Sequence, residues 1–167
     1  LLAVLPEHAT QHWAFVDVQR LRTSPIINLW ALVDRPLFEG PFVGLVGSPL
    51  HWVFDRDQID PNPRSEGHLL SVTISGARSY VEDSPSALEG LLESELRKYF
   101  PQRAFELRKF RVVKERRATI SHAAGTYHRR PETKSPVPGL LLAGDWTRTG
   151  LPATIESAVK SGHDAAA

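Results

Sequence analysis

Leu140-Leu141-Leu142-Ala143-Gly144-Asp145-Trp146-Thr147, then Gly150-Leu151-Pro152-Ala153-Thr154-Ile155-Glu156 and the run from Ser157 to Ala167, is the stretch from which the fold is read. Consecutive aliphatic and small residues closed by Gly144 predict a short strand. Pro152 at a first helical position, with Ile155, Ala158, Val159 and Gly162 at helical spacing, predicts a helix. The backbone N–H groups of Ala153, Thr154 and Ile155 then fall in a first turn, where donors lack intrahelical partners and the helix dipole is positive. Asp145, at the end of a strand, stands where a carboxylate accepts hydroxyls of a ribose or ribityl chain. Ser157, Ala158, Ser161 and Gly162 are small enough to bring the helix close to a strand or a ligand. The unit suits part of a dinucleotide. The same residues also fit a turn-capping aspartate followed by an ordinary surface helix.

The rest of the composition narrows the choices. The chain has 167 residues, 41% hydrophobic and 23% charged, enough for an ordinary globular core. A net charge of +1 gives no nucleic-acid footprint. The absence of cysteine excludes disulfides, thiolate nucleophiles and thiolate metal sites. No apolar run approaches the length needed to span a membrane, and Leu1 to Leu5 is too short for a signal core. A chain without methionine that opens on Leu1-Leu2-Ala3-Val4-Leu5 is expected to be a piece of something longer, with N-terminal processing as the alternative.

Outward from the C-terminal unit, strands prevail. Leu1 to Leu5 reads as a buried strand, and Glu7 to Arg22 as a helix. Ile26 to Val33 is nearly continuous in apolar residues and predicts a central strand. Phe42 to Val46 and Trp52 to Phe54 predict two short strands, and Asp55 to Gly67 a surface loop. In His68 to Ser75, Leu70, Val72 and Ile74 alternate with Ser71, Thr73 and Ser75, a strand with one buried face. Ser84-Pro85 starts a helix as N-cap and first position, Leu88, Leu91, Leu92, Leu96 and Tyr99 give it an apolar stripe, and Pro101 stops it. Phe105 to Ile120 reads as a long strand with a solvated basic face, in preference to an anion-binding patch. Ser121 to Pro138 reads as a loop. The fold class expected is α+β: a mostly antiparallel sheet with few helices over 1–137, and over 138–167 the last strand and helix of a second, α/β domain.

The wording of the C-terminal stretch, Leu-Ala-Gly-Asp-Trp-Thr, Thr-Gly-Leu-Pro-Ala-Thr-Ile-Glu and Ala-Val-Lys-Ser-Gly, resembles the C-terminal FAD-binding segment of the flavin amine oxidase and phytoene desaturase superfamily. Ser24-Pro25-Ile26-Ile27-Asn28-Leu29, Asp34-Arg35-Pro36, the run Gly47 to Arg56, Val113 to Thr119 and Arg130-Pro131 resemble one branch, the squalene-associated FAD-dependent desaturases or hydroxysqualene dehydroxylases. The resemblance covers nearly the whole chain and corresponds to the C-terminal part of that family. It implies a Rossmann-type FAD domain interrupted by a mostly β substrate domain. It implies FAD as cofactor, and reductive removal of the hydroxyl of hydroxysqualene to give squalene. By position, Gly144 and Asp145 would meet the ribityl–phosphate part of FAD, and Pro152, Ala153, Thr154 and Ile155 the pyrimidine edge of the flavin. The Gly-x-Gly-x-x-Gly phosphate loop of the family is absent, so this stretch alone is expected to bind FAD weakly and to need an N-terminal FAD domain as partner.

An isoprenoid substrate needs an apolar channel, for which Trp30, Trp52 and Phe54 are candidates; each also fits ordinary core packing. No acid–base pair is evident, so the catalytic proton donor is unassigned. His51, His68, His122 and His128 lack a metal-ligand spacing, so no metal site is expected. A lipid substrate implies a cytoplasmic enzyme in peripheral contact with the inner membrane face. A strand at Leu140 to Leu142 without neighbours would favour self-association. Two alternatives stand: another flavoenzyme of the superfamily (phytoene desaturase, amine or protoporphyrinogen oxidase), and a non-catalytic β module binding an apolar ligand or a protein.

Overall fold

A computed structural model describes residues 5, 7–60, 62 and 66–167. These residues fall into two compact units, Pro25–Arg116 and Arg117–Ala167 with the described part of the first 24 residues. In chain order the elements are α1 (Glu7–Thr10), α2 (Trp13–Gln19), β1 (Thr23–Val33), β2 (Phe42–Gly44), β3 (Trp52–Asp55), α3 (Arg56–Ile59), β4 (His68–Ser75), α4 (Pro85–Tyr99), β5 (Leu107–Ile120), a 3-10 turn (Tyr127–Arg129) and α5 (Ile155–Ala166).

The five strands form one sheet in the order β2-β3-β4-β1-β5. β4 lies antiparallel to both β1 and β3, with Ile26 opposite Ser75, Val33 opposite His68, and Trp52 opposite Thr73. β2 pairs antiparallel with β3. Beside β1, the Ser121 N–H donates to the Arg22 carbonyl and the Asp34 N–H to the Glu106 carbonyl, so β5 runs opposite to β1. β1 begins three residues before the expected Ile26. Pro25, which has no N–H to donate, is accommodated because the β4 ladder starts only at Ile26.

Alternation decides the faces. Ile27, Leu29, Ala31 and Val33 of β1, Leu70, Val72 and Ile74 of β4, and Val53 of β3 all point to one side and are buried. α4 covers that side with Leu88, Leu92 and Leu96, spaced four residues apart and fully buried. Each such leucine contributes about 1.5–3 kcal/mol through area removed from water. The helix starts as expected. Ser84 Oγ accepts the Ala87 N–H at 3.1 Å, Pro85 occupies the first turn, and Phe100 closes the end on the Leu96 carbonyl.

Three expectations change. The segment 7–22 holds two short helices rather than one, joined where His12 caps α2. The loop after Asp55 contains α3, capped by the fully buried Asp55, whose Oδ1 accepts the Asp57 and Gln58 N–H groups and whose Oδ2 lies 2.9 Å from His68 Nδ1. Leu140–Leu142 is not a full strand. It makes one antiparallel bridge, Leu141 with Lys134, and the Leu142 N–H donates to the Thr133 carbonyl. A parallel strand draws its ladder from neighbours on both sides, and among the described residues the only partner is the short 133–135 segment. The expected strand at 1–5 lies, except for Leu5, outside the described residues.

The basic strand β5 meets local acceptors. Lys114 Nζ donates to the Val81 and Asp83 carbonyls, Arg116 pairs with Glu82, and Arg108 reaches the Glu66 carbonyl at 3.0 Å. At the far end of the sheet, the Arg35 guanidinium and the Glu106 N–H hold the Asp34 carboxyl below its ordinary pKa. A depressed folded-state pKa stabilises the fold fully above the pH where a free aspartate protonates, and the contribution is lost as pH falls through the lower folded value. Asp34→Asn is therefore expected to melt below the parent at neutral pH. The gap should narrow in acid as Asp34 itself becomes protonated. A gap independent of pH would rule out this linkage.

Candidate functional site

The loop 144–153 and the start of α5 form the first candidate site, within the unit that holds the C-terminus. Gly144 has φ 139°, and its N–H donates to Ser161 Oγ at 2.7 Å. Ser161 in turn donates to the Ala158 carbonyl, so one buried hydroxyl ties the loop to the helix. Ser157 does the same one turn earlier, lying 3.3 Å from the Asp145 carbonyl and 2.6 Å from Thr149 Oγ1. The small residues on α5 thus do what their size suggested, at Ser157 and Ser161. Thr147 is fully buried and closes the turn, its N–H and hydroxyl both donating to the Gly144 carbonyl.

α5 starts three residues later than the proline suggested. Thr154, not Pro152, is the boundary residue: it is the N-cap, and its Oγ1 accepts the Ser157 N–H. The Thr side chain captures an orphan amide, which a proline ring does not. Ala153 is buried outside the helix, and its N–H donates to His122 Nε2 at 2.9 Å. That amide is therefore occupied, contrary to the expectation of a free donor. Among the described residues the N–H groups of Thr154, Ile155 and Glu156 have no acceptor, and the Ile155 side chain is 85% exposed. They present the positive end of a twelve-residue helix to the outside. Half-buried Asp145 uses its carbonyl for Arg130 and Ser157, while its carboxylate has no hydrogen-bond or ion-pair partner among the described residues.

Behind the loop lies Arg130, 2% exposed. Its guanidinium donates to the carbonyls of Asp145 (2.7 Å), Leu151 (2.6 Å) and Trp146 (3.4 Å) and to Ser157 Oγ (3.2 Å). Burial pushes its pKa down, opposed through space by Tyr127 and Asp145. Arg148 holds the other side, reaching the carbonyls of Arg130 and His128. A cavity of about 270 Å³ opens beside Arg130, lined by Ile120, His122, Tyr127, Gly150, Leu151 and Pro152 among others. Arg130 appeared in sequence only as half of a motif pair. Its role depends on contacts 15 to 27 residues away, which no local pattern encodes.

The second candidate site is the face of the sheet opposite α4, in the unit Pro25–Arg116. Trp30, Trp52 and Phe54 all occupy positions that alternate with the buried core residues, so they share this face. Trp30 and Phe54 both stand opposite Ser71, from the two strands flanking β4, and Trp52 stands opposite Thr73. Phe42, which sequence reasoning missed, completes an aromatic group with Trp52 and Phe54 at centroid distances of 5.8–6.4 Å. Phe42 is 54% and Trp52 45% exposed. A period-2 reading of the three-residue β2 is too short to mark Phe42. On β4, Ser71 stands between Trp30 and Phe54, and Thr73, hydrogen-bonded to Asn28 of β1 at 3.1 Å, stands beside Trp52. The backbones carrying Trp30 and Phe54 are two strand spacings, about 10 Å, apart. Among the described residues no group of three His, Asp or Glu side chains is placed to hold a metal ion.

Comparison with known proteins supplies an independent line. Residues 2–167 match the family described as flavin containing amine oxidoreductase. Hydroxysqualene dehydroxylase of Zymomonas mobilis is 32% identical over 141 residues, 84% of this chain and 31% of that protein. The Rhodopseudomonas palustris hydroxysqualene dehydroxylase is 37% identical over 123 residues, 74% of this chain and 27% of that protein. The 15-cis-phytoene desaturase of Synechococcus elongatus is 28% identical over 159 residues, 89% of this chain and 33% of that protein. Among solved structures, an oxidoreductase from Methanosarcina mazei superposes with a TM-score of 0.68 at 19% identity, over 98% of this chain and 38% of its own. The chain thus spans about a third of the length of the curated relatives it matches.

Proposed function

Because the chain belongs to the family of flavin-containing amine oxidoreductases, we propose that it is the C-terminal part of an FAD-dependent enzyme that converts hydroxysqualene to squalene. The observation that carries the cofactor half is the meeting, on one loop, of an unpartnered Asp145 carboxylate and the acceptor-free N–H groups that open α5. These residues fit FAD. Asp145 suits the ribityl hydroxyls as a charged acceptor, and Gly144, at φ 139° and packed against Trp146, supplies the turn that sets Asp145 in place. The Thr154–Glu156 amides and the α5 dipole suit negative charge at a flavin's pyrimidine edge. Pro152 and the Ala153–His122 bond fix the entry to that turn, so Ala153 serves by holding its neighbours in place. When bound, FAD in its reduced form supplies the hydride that replaces the hydroxyl, which leaves as water after taking a proton.

The isoprenoid half rests on the aromatic sheet face. Trp30, Trp52, Phe54 and Phe42 offer flat apolar surface beside small side chains, suited to an extended hydrocarbon and lacking fixed charges of their own. Hydroxysqualene is favoured over phytoene because the hydroxysqualene dehydroxylases reach 32–37% identity, against 27–30% for the phytoene desaturases. Peripheral contact with a membrane follows as part of this proposal, from the lipid character of the substrate. No described helix is long and apolar enough to cross one.

The test is product analysis. The full-length protein with FAD, reduced anaerobically and given hydroxysqualene, is expected to release squalene. No squalene there, with dehydrogenated product when the oxidised protein is given phytoene and a quinone acceptor, would replace this substrate by the desaturase one. Trp52→Ala is expected to raise KM about tenfold, corresponding to roughly 1.5 kcal/mol of apolar contact, while FAD content stays at the parent level. Unchanged KM in both Trp30→Ala and Trp52→Ala would remove this face from the substrate path.

A further inference from the structure

Arg130 stands out as a cation in the wrong place for a surface residue and without the partner a buried one usually has. It is 2% exposed, yet all four of its acceptors are neutral: the carbonyls of Asp145, Trp146 and Leu151 and the hydroxyl of Ser157. Among the described residues no carboxylate lies within ion-pair distance of it. The Tyr127 ring, 5.6 Å from the guanidinium carbon, adds a further weak attraction. Burying an unneutralised charge is costly, and such a charge is retained where something else compensates it.

The acceptors identify what it organises. Asp145 and Trp146 lie at the start of the loop, Leu151 at its end, and Ser157 in the first turn of α5. One planar fork therefore fixes both ends of the loop against the helix whose amides are free. A lysine, with a single nitrogen, cannot meet acceptors spread over this arc. We propose that Arg130 is the positioning residue of the flavin site, holding the Asp145 loop against the α5 N-terminus and lending a positive charge that no described carboxylate pairs with directly to the reduced, anionic flavin. This rests on the FAD reading above and adds to it a residue that need not touch the cofactor.

Three variants of the full-length protein separate shape from charge: Arg130→Lys, Arg130→Met and Ser157→Ala. FAD affinity is measured by titration of the apoprotein, the flavin midpoint potential by equilibration with a reference dye, and apoprotein melting in parallel. Arg130→Met is expected to weaken FAD binding by at least about tenfold, as for loss of charge-assisted hydrogen bonds, and to lower the potential of the flavin that remains bound. Arg130→Lys should weaken binding less and restore the potential at neutral pH. In that variant alone the potential should fall more steeply than the parent's in alkali, as the buried ammonium loses its proton. This reading stands even where Arg130→Met does not fold. Ser157→Ala should weaken binding without moving the potential. A parent-like potential at every pH in Arg130→Lys and in any folded Arg130→Met would overturn the proposal, leaving the residue a structural clamp. A parent protein that binds no FAD would remove the cofactor reading itself, and this inference with it.

Discussion

Gly144→Ala is expected to lower the stability of the C-terminal unit by roughly 2–5 kcal/mol, with a corresponding loss of flavin binding in the full-length protein. Two costs combine. At φ 139° the backbone is in a region that residues with a Cβ rarely adopt. A Cβ built there would lie 2.3 Å from Trp146 Nε1 and 2.6 Å from Trp146 Cδ1, so the indole must leave its place. Both changes pull on the turn that carries Asp145, because Gly144 also anchors Ser161 and Thr147. The two costs can be separated. Because Trp146 also packs on the Ala9, Phe15 and Leu142 cluster, the steric part is read from a cycle: Gly144→Ala should cost less in a Trp146→Gly background than in the parent, and what remains is the backbone part. Parent-like melting in Gly144→Ala would mean that the turn is not constrained as described.

The second large effect is at Asp145. Its carboxylate makes no hydrogen bond or ion pair among the described residues and acts there only as a through-space attraction on Arg130, since its hydrogen bonds run through the carbonyl. Asp145→Ala should therefore leave the melting temperature of the apoprotein nearly unchanged, and Asp145→Asn likewise. In the holoprotein the same substitution removes a charged acceptor. Hydrogen bonds to charged groups contribute about 1.5–3 kcal/mol each, so FAD affinity is expected to fall about tenfold to hundredfold. A large loss of apoprotein stability with intact FAD affinity would make Asp145 a structural residue and reverse its assignment.

These two neighbouring residues also show how sequence and structure divide the information. Periodicity is local, and so β4 and α4 fall at the residues their alternation and capping pattern announce: His68–Ser75 and Pro85–Tyr99. Leu140–Leu142 has an equally strong apolar signal, but a strand also needs a neighbour, and that is a property of other parts of the chain. The α5 boundary was misplaced because Pro152 and Thr154 are both N-terminal signals, and the hydrogen bond to the Ser157 N–H settles the matter for threonine. Site chemistry divides the same way. Trp30, Trp52 and Phe54 are visible as aromatics in strands. That they share a face with Phe42 follows from the register that places Trp30 and Phe54 opposite Ser71. Arg130 and His122 act on residues 15 to 31 positions away, and a pattern of nearest neighbours has no means of pairing them with the Asp145 loop.

The central claim is that the loop and the α5 N-terminus belong to an FAD site, and it is tested most directly by the visible absorption spectrum of the full-length protein purified without added cofactor. The expected result is a flavin spectrum in the parent and a much weaker one in Asp145→Ala, with the apoproteins melting alike. No flavin bands in the parent, even after incubation with excess FAD, would contradict the account and bring forward a module that binds an apolar ligand on its aromatic sheet face without redox chemistry.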